Sequence, residues 1–310
     1  MSEKYQVSDK VIGRGSSSLV VEGFVRATNK RVIVKIIKDG GNGARNQKIV
    51  ENEVRTMKSL LHPSIPTVMD SYFKDKDAYI VEDFIDGETL DSTMKKNSSA
   101  SQGNAECIPI SGVINLMFAL ISVLHYVHGS NIVHRDIKPA NILISREGKV
   151  FLLDFGLGRR LDSASKSTFA GSFVGTELYA APEIHARTLS GKEGESYLPR
   201  SDVWGVGAVL VHAICGVLFF DDVDFEETYW DDFERLKSGS HKGVEWGLQA
   251  LLERTFDRNP CAQQLWEAVP ESLKACINLC LTHDYRYLSL SSQLPLLAQP
   301  LIQCWITILL

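Results

Sequence analysis

The feature that most constrains this chain is the octapeptide from His134 to Asn141, together with the tripeptide Asp154-Phe155-Gly156. A short stretch here brings together two acids, a lysine and an amide. Phosphoryl transfer requires a carboxylate that orients a hydroxyl, a cation beside the moving phosphoryl group, and oxygen ligands for a divalent metal ion. The spacing between Asp136 and Asp154 leaves room for a β-hairpin between two loops. This block therefore predicts a phosphoryl-transfer site.

The bulk composition is that of an ordinary soluble globular protein. Hydrophobic residues occupy 44% of the 310 positions and charged residues 23%, and the length suits two domains or one domain of two lobes. The net charge of -5 argues against a general nucleic-acid binder, because such proteins are usually basic. No nucleic-acid partner is therefore expected.

The six cysteines occur singly, and none belongs to a Cys-x-x-Cys or to a Cys/His cluster at zinc spacing. Cys276 and Cys280 would share one face of a helix. A metal site there would need two more ligands, so two core thiols are expected instead. Cysteine usage of this kind favours a reducing cytosol; we expect a cytoplasmic protein and leave nuclear entry open.

The two ends of the chain carry little sign of a membrane segment. The first residues are charged and lack an apolar signal core. Residues 287–310 contain no charge, but their prolines and glutamines suit a membrane span poorly. No membrane span is expected. The apolar stretch 303–310 is expected either to cap the rest of the fold or to dock a partner.

The first part of the chain is rich in predicted strands. Runs of β-branched residues predict strands at Val7–Ile12, Leu19–Val25, Arg31–Ile37, Thr67–Phe73 and Ala78–Phe84. Between the third and fourth, helical spacing predicts a helix that ends before His62-Pro63. Its apolar face is predicted to carry Val50, Val54, Met57 and Leu61.

The second part of the chain is predicted to be helical. Residues 95–107 are polar and are expected to form an exposed loop. Val113–His128 and Trp204–Leu218 are strongly apolar and are predicted to be buried helices. A small β-rich lobe, a tether near Asp83–Gly87 and a larger helical lobe are therefore expected, with an active site in the cleft between the lobes.

These motifs resemble those of the eukaryotic-type Ser/Thr protein kinases. The resemblance implies an α+β, bilobal kinase domain over residues 1–302: an antiparallel β-rich N-lobe (5–82) with one main helix, a hinge (83–87) and a larger, mostly helical C-lobe (88–302). Residues 303–310 would form a short apolar tail. It also implies transfer of the γ-phosphoryl group of ATP to Ser or Thr hydroxyls of proteins, with Mg²⁺ as the metal and Mn²⁺ as an alternative.

The resemblance assigns catalytic roles within the block. Asp136 would orient the substrate hydroxyl and accept its proton, and Lys138 would neutralise charge on the γ-phosphoryl group. Asn141 and Asp154 would bind the metal ion. Thr176 would hydrogen-bond the Asp136–Lys138 pair and help to place the acceptor. Lysine at position 138 is the Ser/Thr-kinase version of this loop.

Lys35 is the candidate phosphate-binding lysine. A lone ammonium on a buried strand is costly to desolvate, so it needs a partner. The family pattern selects Glu53 on the following helix. Glu51 is the rival, and on a helix it would point to roughly the opposite side. The plain alternative is that Lys35 faces solvent at the end of its strand.

A glycine-containing turn and the start of the tether would hold the nucleotide. Glycines let backbone N–H groups approach phosphates, although Ser18 stands where the family has a third glycine. By resemblance, the nucleotide-binding set is Ile12, Gly13, Gly15, Val20, Ile33, Lys35, Glu82, Asp83, Ile85 and Leu143.

Two members of that set depart from the family pattern. Ile33 replaces a small alanine and should narrow the adenine pocket. Glu82 takes the gatekeeper position, where an unpaired carboxylate would be costly unless Lys35 or water reaches it. A one-residue slip would instead place Glu82 in the tether. These departures keep open a second function, a pseudokinase or scaffold that uses the fold as a binding module.

The resemblance also implies supporting and regulatory residues. Glu183 would be buried and paired with Arg286, and Asp202 would brace the catalytic loop. Arg135 would pair with a phosphate on the activation segment, for which Ser172 is the candidate. A merely flexible serine-rich loop is the alternative. The acidic residues between 221 and 234 are either a solvated face or a preference for substrates in a basic context.

Overall fold

The computed structural model describes residues 4–14, 18–38, 51, 54–75, 77–100, 108–155, 159–160, 177–181, 184, 199–218, 252, 255–257 and 259–281. Its strands are β1 Tyr5–Arg14, β2 Ser18–Val25, β3 Arg31–Ile37, β4 Val68–Lys74, β5 Asp77–Asp83, β6 Gly87–Thr89, β7 Ile132–Val133, β8 Ile142–Ser145, β9 Val150–Leu152 and β10 Arg159–Arg160. Its helices are α1 Leu90–Ala100, α2 Ile110–Gly129, α3 Pro199–Cys215, α4 Pro260–Glu267 and α5 Glu271–Cys280. Residues 54–59 are also helical.

The first five strands form one antiparallel sheet in the order β1-β2-β3-β5-β4. Cross-strand partners share a face of the sheet. The row Val21, Val34 and Val81 belongs to a buried cluster on one face. Successive residues point to opposite faces, so the neighbouring row of Val20, Lys35 and Ile80 lies on the other face. This second face looks into the cleft.

The main core lies around α2 and α3, which are both strongly apolar. Every residue of α3 from Ser201 to Leu210 is buried, and nine residues of α2 are buried. The same cluster includes Met57 and Leu60 from the helical segment and Ile80 from β5. The sheet and the helices are therefore joined by a continuous apolar contact, as the expected bilobal kinase fold requires.

Helix α2 is the one helix in the described residues that is long and apolar enough to cross a membrane by length and composition. Half of its apolar window is buried inside the protein. Val113, Met117, Leu120 and Leu124 are almost completely shielded from solvent. Its hydrophobicity is therefore explained by its place at the centre of the core.

The prediction of an exposed loop over 95–107 was wrong in its first part, because α1 continues to Ala100. The side chain of Thr89 accepts a hydrogen bond from Ser92 N and caps the helix. Leu90 and Met94 are buried in the core, and Asp91 pairs with Lys95 one turn later at 2.8 Å. Packing and capping outweigh the polar composition; residues 101–107 lie outside the described residues.

The prediction that Leu61 lies on the apolar face of the helix was also wrong. Leu61 follows the helical segment and is 76% exposed, whereas Leu60 is buried in its place. The chain leaves the helix before Leu61, whose backbone N–H donates to the hydroxyl of Tyr126 at 2.8 Å. Val54 and Met57 are buried as predicted, and Val50 lies outside the described residues.

Two further predictions are confirmed. Strands β8 and β9 form an antiparallel hairpin between Asp136 and Asp154, and β6 completes a three-stranded sheet. Cys276 and Cys280 are buried in α5. Burial raises the pKa of the Cys280 thiol to about 12, so it remains protonated and behaves as a core residue.

Candidate active site

The octapeptide forms a loop between β7 and β8 that places Asp136 at its centre. Asp136 is only 8% exposed. Its Oδ2 atom lies 2.7 Å from Lys138 Nζ and accepts a hydrogen bond from Asn141 Nδ2 at 2.9 Å. Asn141 Nδ2 also donates to the backbone carbonyl of Asp136 at 2.8 Å. One carboxylate is therefore held in place by a cation and an amide from the same loop.

A second carboxylate, Asp202 in the first turn of α3, holds the backbone of this loop. Its Oδ2 and Oδ1 atoms accept hydrogen bonds from the backbone N–H groups of His134 and Arg135, each at 2.8 Å. His128 Nε2 lies 2.8 Å from Oδ2. Asp202 braces the loop geometrically, as the resemblance implied.

The Asp202 carboxylate is 1% exposed and is held by several hydrogen bonds. Burial by itself would raise its pKa. The hydrogen bond and electrostatic attraction of the His128 ring and the hydrogen bond from the backbone N–H of Arg135 act in the opposite direction and outweigh burial. The pKa of Asp202 therefore lies below its ordinary value.

His134 connects the catalytic loop to the segment that carries Asp154. Its Nε2 lies 2.9 Å from the carbonyl oxygen of Leu153, and its Nδ1 accepts from the backbone N–H of Asp136 at 3.3 Å. These two bonds fit the tautomer protonated on Nε2. The ring also meets the Phe155 ring edge-on, with centroids 4.7 Å apart. The two catalytic segments are thus positioned by one buried ring.

The backbone takes a left-handed turn at both catalytic segments. The φ angle is 75° at Arg135 and 58° at Asp154. Non-glycine residues adopt this region uncommonly. Asn141 O accepts from Leu153 N at 2.8 Å beside the second turn. The two conformations aim Asp136 and Asp154 and are held by the surrounding hydrogen bonds.

Helix α3 also supports the loop by direct packing. A Cβ atom placed on Gly205 would lie 2.9 Å from Ile137 Cβ. Such a contact is too short, so Ile137 or the loop would have to move. Glycine at position 205 therefore allows α3 to approach the residue between Asp136 and Lys138 closely.

On the opposite side of the cleft, Lys35 pairs with Asp154. Its Nζ atom lies 2.7 Å from Asp154 Oδ1, and the Lys35 side chain is 11% exposed. Lys35 therefore faces into the cleft and not into solvent. Glu53 lies outside the described residues. The rival Glu51 is exposed and borders a cavity that is lined by residues of β4 and β5, among them Ser71 and Tyr79.

The departures Ile33 and Glu82 sit together in the cleft-facing part of the sheet. Ile33 of β3 is the cross-strand partner of both Glu22 and Glu82. Glu82 therefore lies within β5, on the face that carries Ile33 and Lys35, and not in the tether. Its effect on nucleotide binding stays a prediction.

The other predicted nucleotide residues surround the same cleft. Gly13 and Val20 are partners on β1 and β2. Leu143 is half-buried in β8, and Asp83 is the last residue of β5. Ile85 follows in the connection to β6 and is half-buried. Ile12 is 49% exposed. The predicted residues outside the described ones are Gly15, Glu53, Ser172, Thr176, Glu183 and Arg286.

Several contacts at the site carried no signal in the sequence. His128 on α2 pairs with Asp202, and the hydroxyl of Tyr179 lies 2.7 Å from Nδ1 of His212. Arg31 reaches both Glu22 and Phe84. Apart from Arg31 and Glu22, which are nine positions apart on neighbouring strands, these pairs join residues far apart in the chain, so local spacing does not reveal them.

A divalent metal ion fits the side chains at the cleft by donor chemistry. Asp154 offers a carboxylate that is 45% exposed, and Asn141 offers an amide oxygen. Magnesium ions prefer oxygen ligands and are often held by one or two carboxylates plus substrate phosphates and water. Within the described parts of the chain, no group of three His, Cys, Asp or Glu side chains forms a complete metal site.

Comparison with known proteins shows the family to which the chain belongs. Residues 5–287 match the family described as "Protein kinase domain". The chain is 32% identical to the serine/threonine-protein kinase nekl-2 of Caenorhabditis elegans, over 83% of this chain and 71% of that protein. It is 30% identical to the testis-specific serine/threonine-protein kinase 3 of Mus musculus, over 83% of this chain and 90% of that protein.

A third relative, serine/threonine-protein kinase 36 of Pongo abelii, is 30% identical over 69% of this chain. The matched part covers only 15% of that protein. The chain belongs to the protein kinase domain family and is an ATP-dependent serine/threonine protein kinase.

Proposed function

We propose that this kinase uses Asp136, Lys138, Asn141, Lys35 and Asp154 to transfer the γ-phosphoryl group from Mg²⁺-bound ATP to Ser or Thr hydroxyls of proteins. The observation that carries the proposal is the arrangement of charges across the cleft. Lys138 and Asn141 hold Asp136 on one side, and Lys35 holds Asp154 on the other.

The side chains divide the work of the reaction. Asp136 accepts the hydrogen bond of the acceptor hydroxyl and takes its proton late in the transfer. Lys138, beside Asp136, offsets the negative charge that develops on the transferred group. Lys35 orients the phosphates. The catalytic effect is positioning and electrostatics, so no covalent enzyme intermediate is expected.

The metal ion, when bound, offsets phosphate charge and orients the transferred group. Asp154 and Asn141 would hold it. Mg²⁺ is our choice because the donors are oxygen atoms and few in number, and Mn²⁺ is the alternative. Asn141 would have to present its amide oxygen to the metal while its Nδ2 keeps the bond to Asp136.

The test is a transfer assay with purified protein, labelled ATP, Mg²⁺ and a library of Ser- and Thr-containing peptides. Asp136→Asn and Asp154→Asn should abolish transfer. The matched control is Asp91→Asn, which removes one partner of an exposed pair with Lys95 and should leave the rate unchanged. If wild-type protein bound Mg²⁺-ATP but transferred nothing, the scaffold function would replace the catalytic one.

Control by phosphorylation is part of the proposal. Arg135, next to Asp136, is positioned by the Asp202 carboxylate, and a phosphate at Ser172 would supply the anion that Arg135 pairs with. Ser172→Ala should then abolish activation by an upstream kinase. Unchanged basal and activated rates in Ser172→Ala would remove this element of the proposal.

We also propose a preference for acceptors in a basic context, supported by the acidic residues between 221 and 234. These residues lie outside the described part of the chain; by family resemblance they would border the acceptor groove, where their negative charge would attract basic peptides and speed their association. Basic and acidic peptides with the same Ser acceptor should differ in KM, and the difference should shrink at high salt. Equal KM values for the two peptides contradict this preference.

A further inference from the structure

At the outer end of the cleft, three side chains link β2 and β3 to the segment that joins the lobes. We call Glu22, Arg31 and Phe84 the mouth cluster. Arg31 Nε donates to Glu22 Oε1 at 2.8 Å, and Arg31 Nη2 bonds the same oxygen. On its other side, the guanidinium carbon of Arg31 lies 3.8 Å from the centroid of the Phe84 ring. Arg31 therefore touches the sheet and the connecting segment together.

The mouth cluster sits in line with the rest of the cleft. Arg31, Ile33 and Lys35 alternate along β3 and so point to the same face. Lys35 marks the inner end through its bond to Asp154. At roughly 3.3 Å per residue, Arg31 lies about 13 Å from Lys35 along the strand. The family resemblance implies that the nucleotide base would pack against Ile33, and Arg31 is the next residue on this face toward the outer end of the strand.

The carboxylate of Glu22 explains why Arg31 keeps this position. Glu22 is 7% exposed, and a shielded carboxylate needs cationic partners. The hydrogen bond from Arg31 lowers the pKa of Glu22, and Lys10 Nζ, 3.4 Å from the other oxygen, acts in the same direction. Glu22 is therefore anionic, and its contact with Nε and Nη2 orients the guanidinium plane against the Phe84 ring.

A neighbouring contact acts on the same segment but is more exposed. Lys30 Nζ lies 2.7 Å from Asp83 Oδ1, and the Lys30 side chain is 55% exposed. Exposed pairs of this kind contribute little. The Arg31 side chain is itself 44% exposed, but its partner Glu22 is only 9% exposed, so the contact of Arg31 with Phe84 is the better-held connection between the sheet and the start of the connecting segment.

We propose that the mouth cluster holds the connecting segment in its nucleotide-binding conformation, so that Arg31 and Phe84 set the affinity for ATP. The inference rests on the proposed function, in which, as the family resemblance implies, the backbone of Asp83–Ile85 would bind the edge of the adenine. A segment that is already ordered loses less freedom when the ligand binds, which raises affinity. Arg31 and Phe84 are positioning residues: they act on the nucleotide through the backbone of the segment.

The test compares Arg31→Gln and Phe84→Leu with wild-type protein in steady-state kinetics. Each should raise KM for ATP roughly 2- to 10-fold, the range that one contact between a cation and a ring supports, while kcat and the KM for peptide stay unchanged. The double variant should be no worse than either single one, because both remove the same contact. Arg31→Lys should recover part of the affinity. In the Arg31→Gln variant, Lys10 remains beside Glu22 and offsets its negative charge.

Lys38→Gln is the matched control, because it removes an ion pair to Asp77 at the other end of β3. It should leave KM for ATP unchanged. The inference is overturned if Arg31→Gln and Phe84→Leu leave KM unchanged, if their effects add, if Lys38→Gln raises KM equally, or if kcat and Tm fall together with affinity. Loss of transfer in Asp154→Asn, tested beside these variants, shows separately whether the proposed function stands.

Discussion

The substitution Asp202→Asn tests whether one buried carboxylate organises the catalytic loop. Asparagine has the same shape but only one acceptor oxygen and an amide that donates. The asparagine oxygen is best placed at the Oδ2 position, where it can accept the two bonds from His134 and His128. The amide nitrogen then faces the backbone N–H of Arg135, and that buried donor loses its acceptor. The bonds from His134 and His128 remain, but they now end on a neutral oxygen.

The magnitude follows from these three bonds, which are 2.8 Å long in the native protein. A buried donor without an acceptor costs about 1–3 kcal/mol, and each bond that loses its charge weakens by about 1 kcal/mol. The free energy of unfolding should therefore fall by roughly 3–5 kcal/mol, which for a chain of this length corresponds to a decrease in Tm of roughly 5–8 °C. Because Arg135 adjoins Asp136, kcat should fall about 100-fold, as for a shift of about 1 Å in a catalytic group.

The assay is thermal unfolding followed by circular dichroism, together with kcat measured below the Tm of the variant. Asp91→Asn is the control, because it makes the same chemical change at an exposed pair with Lys95 and should change stability by less than about 0.5 kcal/mol. If Tm of Asp202→Asn lay within about 2 °C of the control and kcat matched wild type, Asp202 would not be the residue that holds the loop.

Three other predictions concern the same region. The folded-state pKa of Asp202 lies below its ordinary value. The contribution of Asp202 to the free energy of unfolding is therefore complete above about pH 4 and is lost as pH falls through the folded pKa. The difference in Tm between wild type and Asp202→Asn should be constant above about pH 5 and shrink below about pH 4. Gly205→Ala places a methyl group against Ile137. The free energy of unfolding, measured by chemical denaturation, should fall by about 1–3 kcal/mol, and kcat should fall more than KM changes. An unchanged kcat would show that the loop tolerates the displacement. Lys35→Met removes the cation paired with Asp154 at similar volume and should lower kcat/KM for ATP roughly 100-fold, and a fall of less than about threefold would refute its role in orienting phosphates.

The candidate catalytic residues were assigned from sequence by their resemblance to the kinase motifs, which is possible because they lie close together in the chain. Asp136, Lys138 and Asn141 lie in one loop, and a fixed spacing within one loop is a direct consequence of the geometry that the loop must adopt. Strand predictions also came close, since the alternation of apolar residues reports which face of a sheet is buried. The end points of β3 at Arg31 and Ile37 agree with the predicted strand.

The contacts that support those residues were not predictable in the same way. His128 meets Asp202 across 74 positions of the chain, and Arg31 meets Phe84 from another strand. Neither pair is visible in a local pattern. The helix through Lys95 was missed for a related reason: its polar composition favours a loop, while the burial of Leu90 and Met94 becomes apparent only in the folded chain.

The bonds from Asp202 to the catalytic loop have a consequence for dissecting the enzyme into pieces. The loop and the carboxylate that holds it are 68 positions apart. A fragment that ends before Pro199 would contain Asp136, Lys138, Asn141 and Asp154, but its loop would have no partner for the N–H groups of His134 and Arg135. Such a fragment should be inactive by itself, and activity should return when a second fragment that begins at Pro199 associates with it.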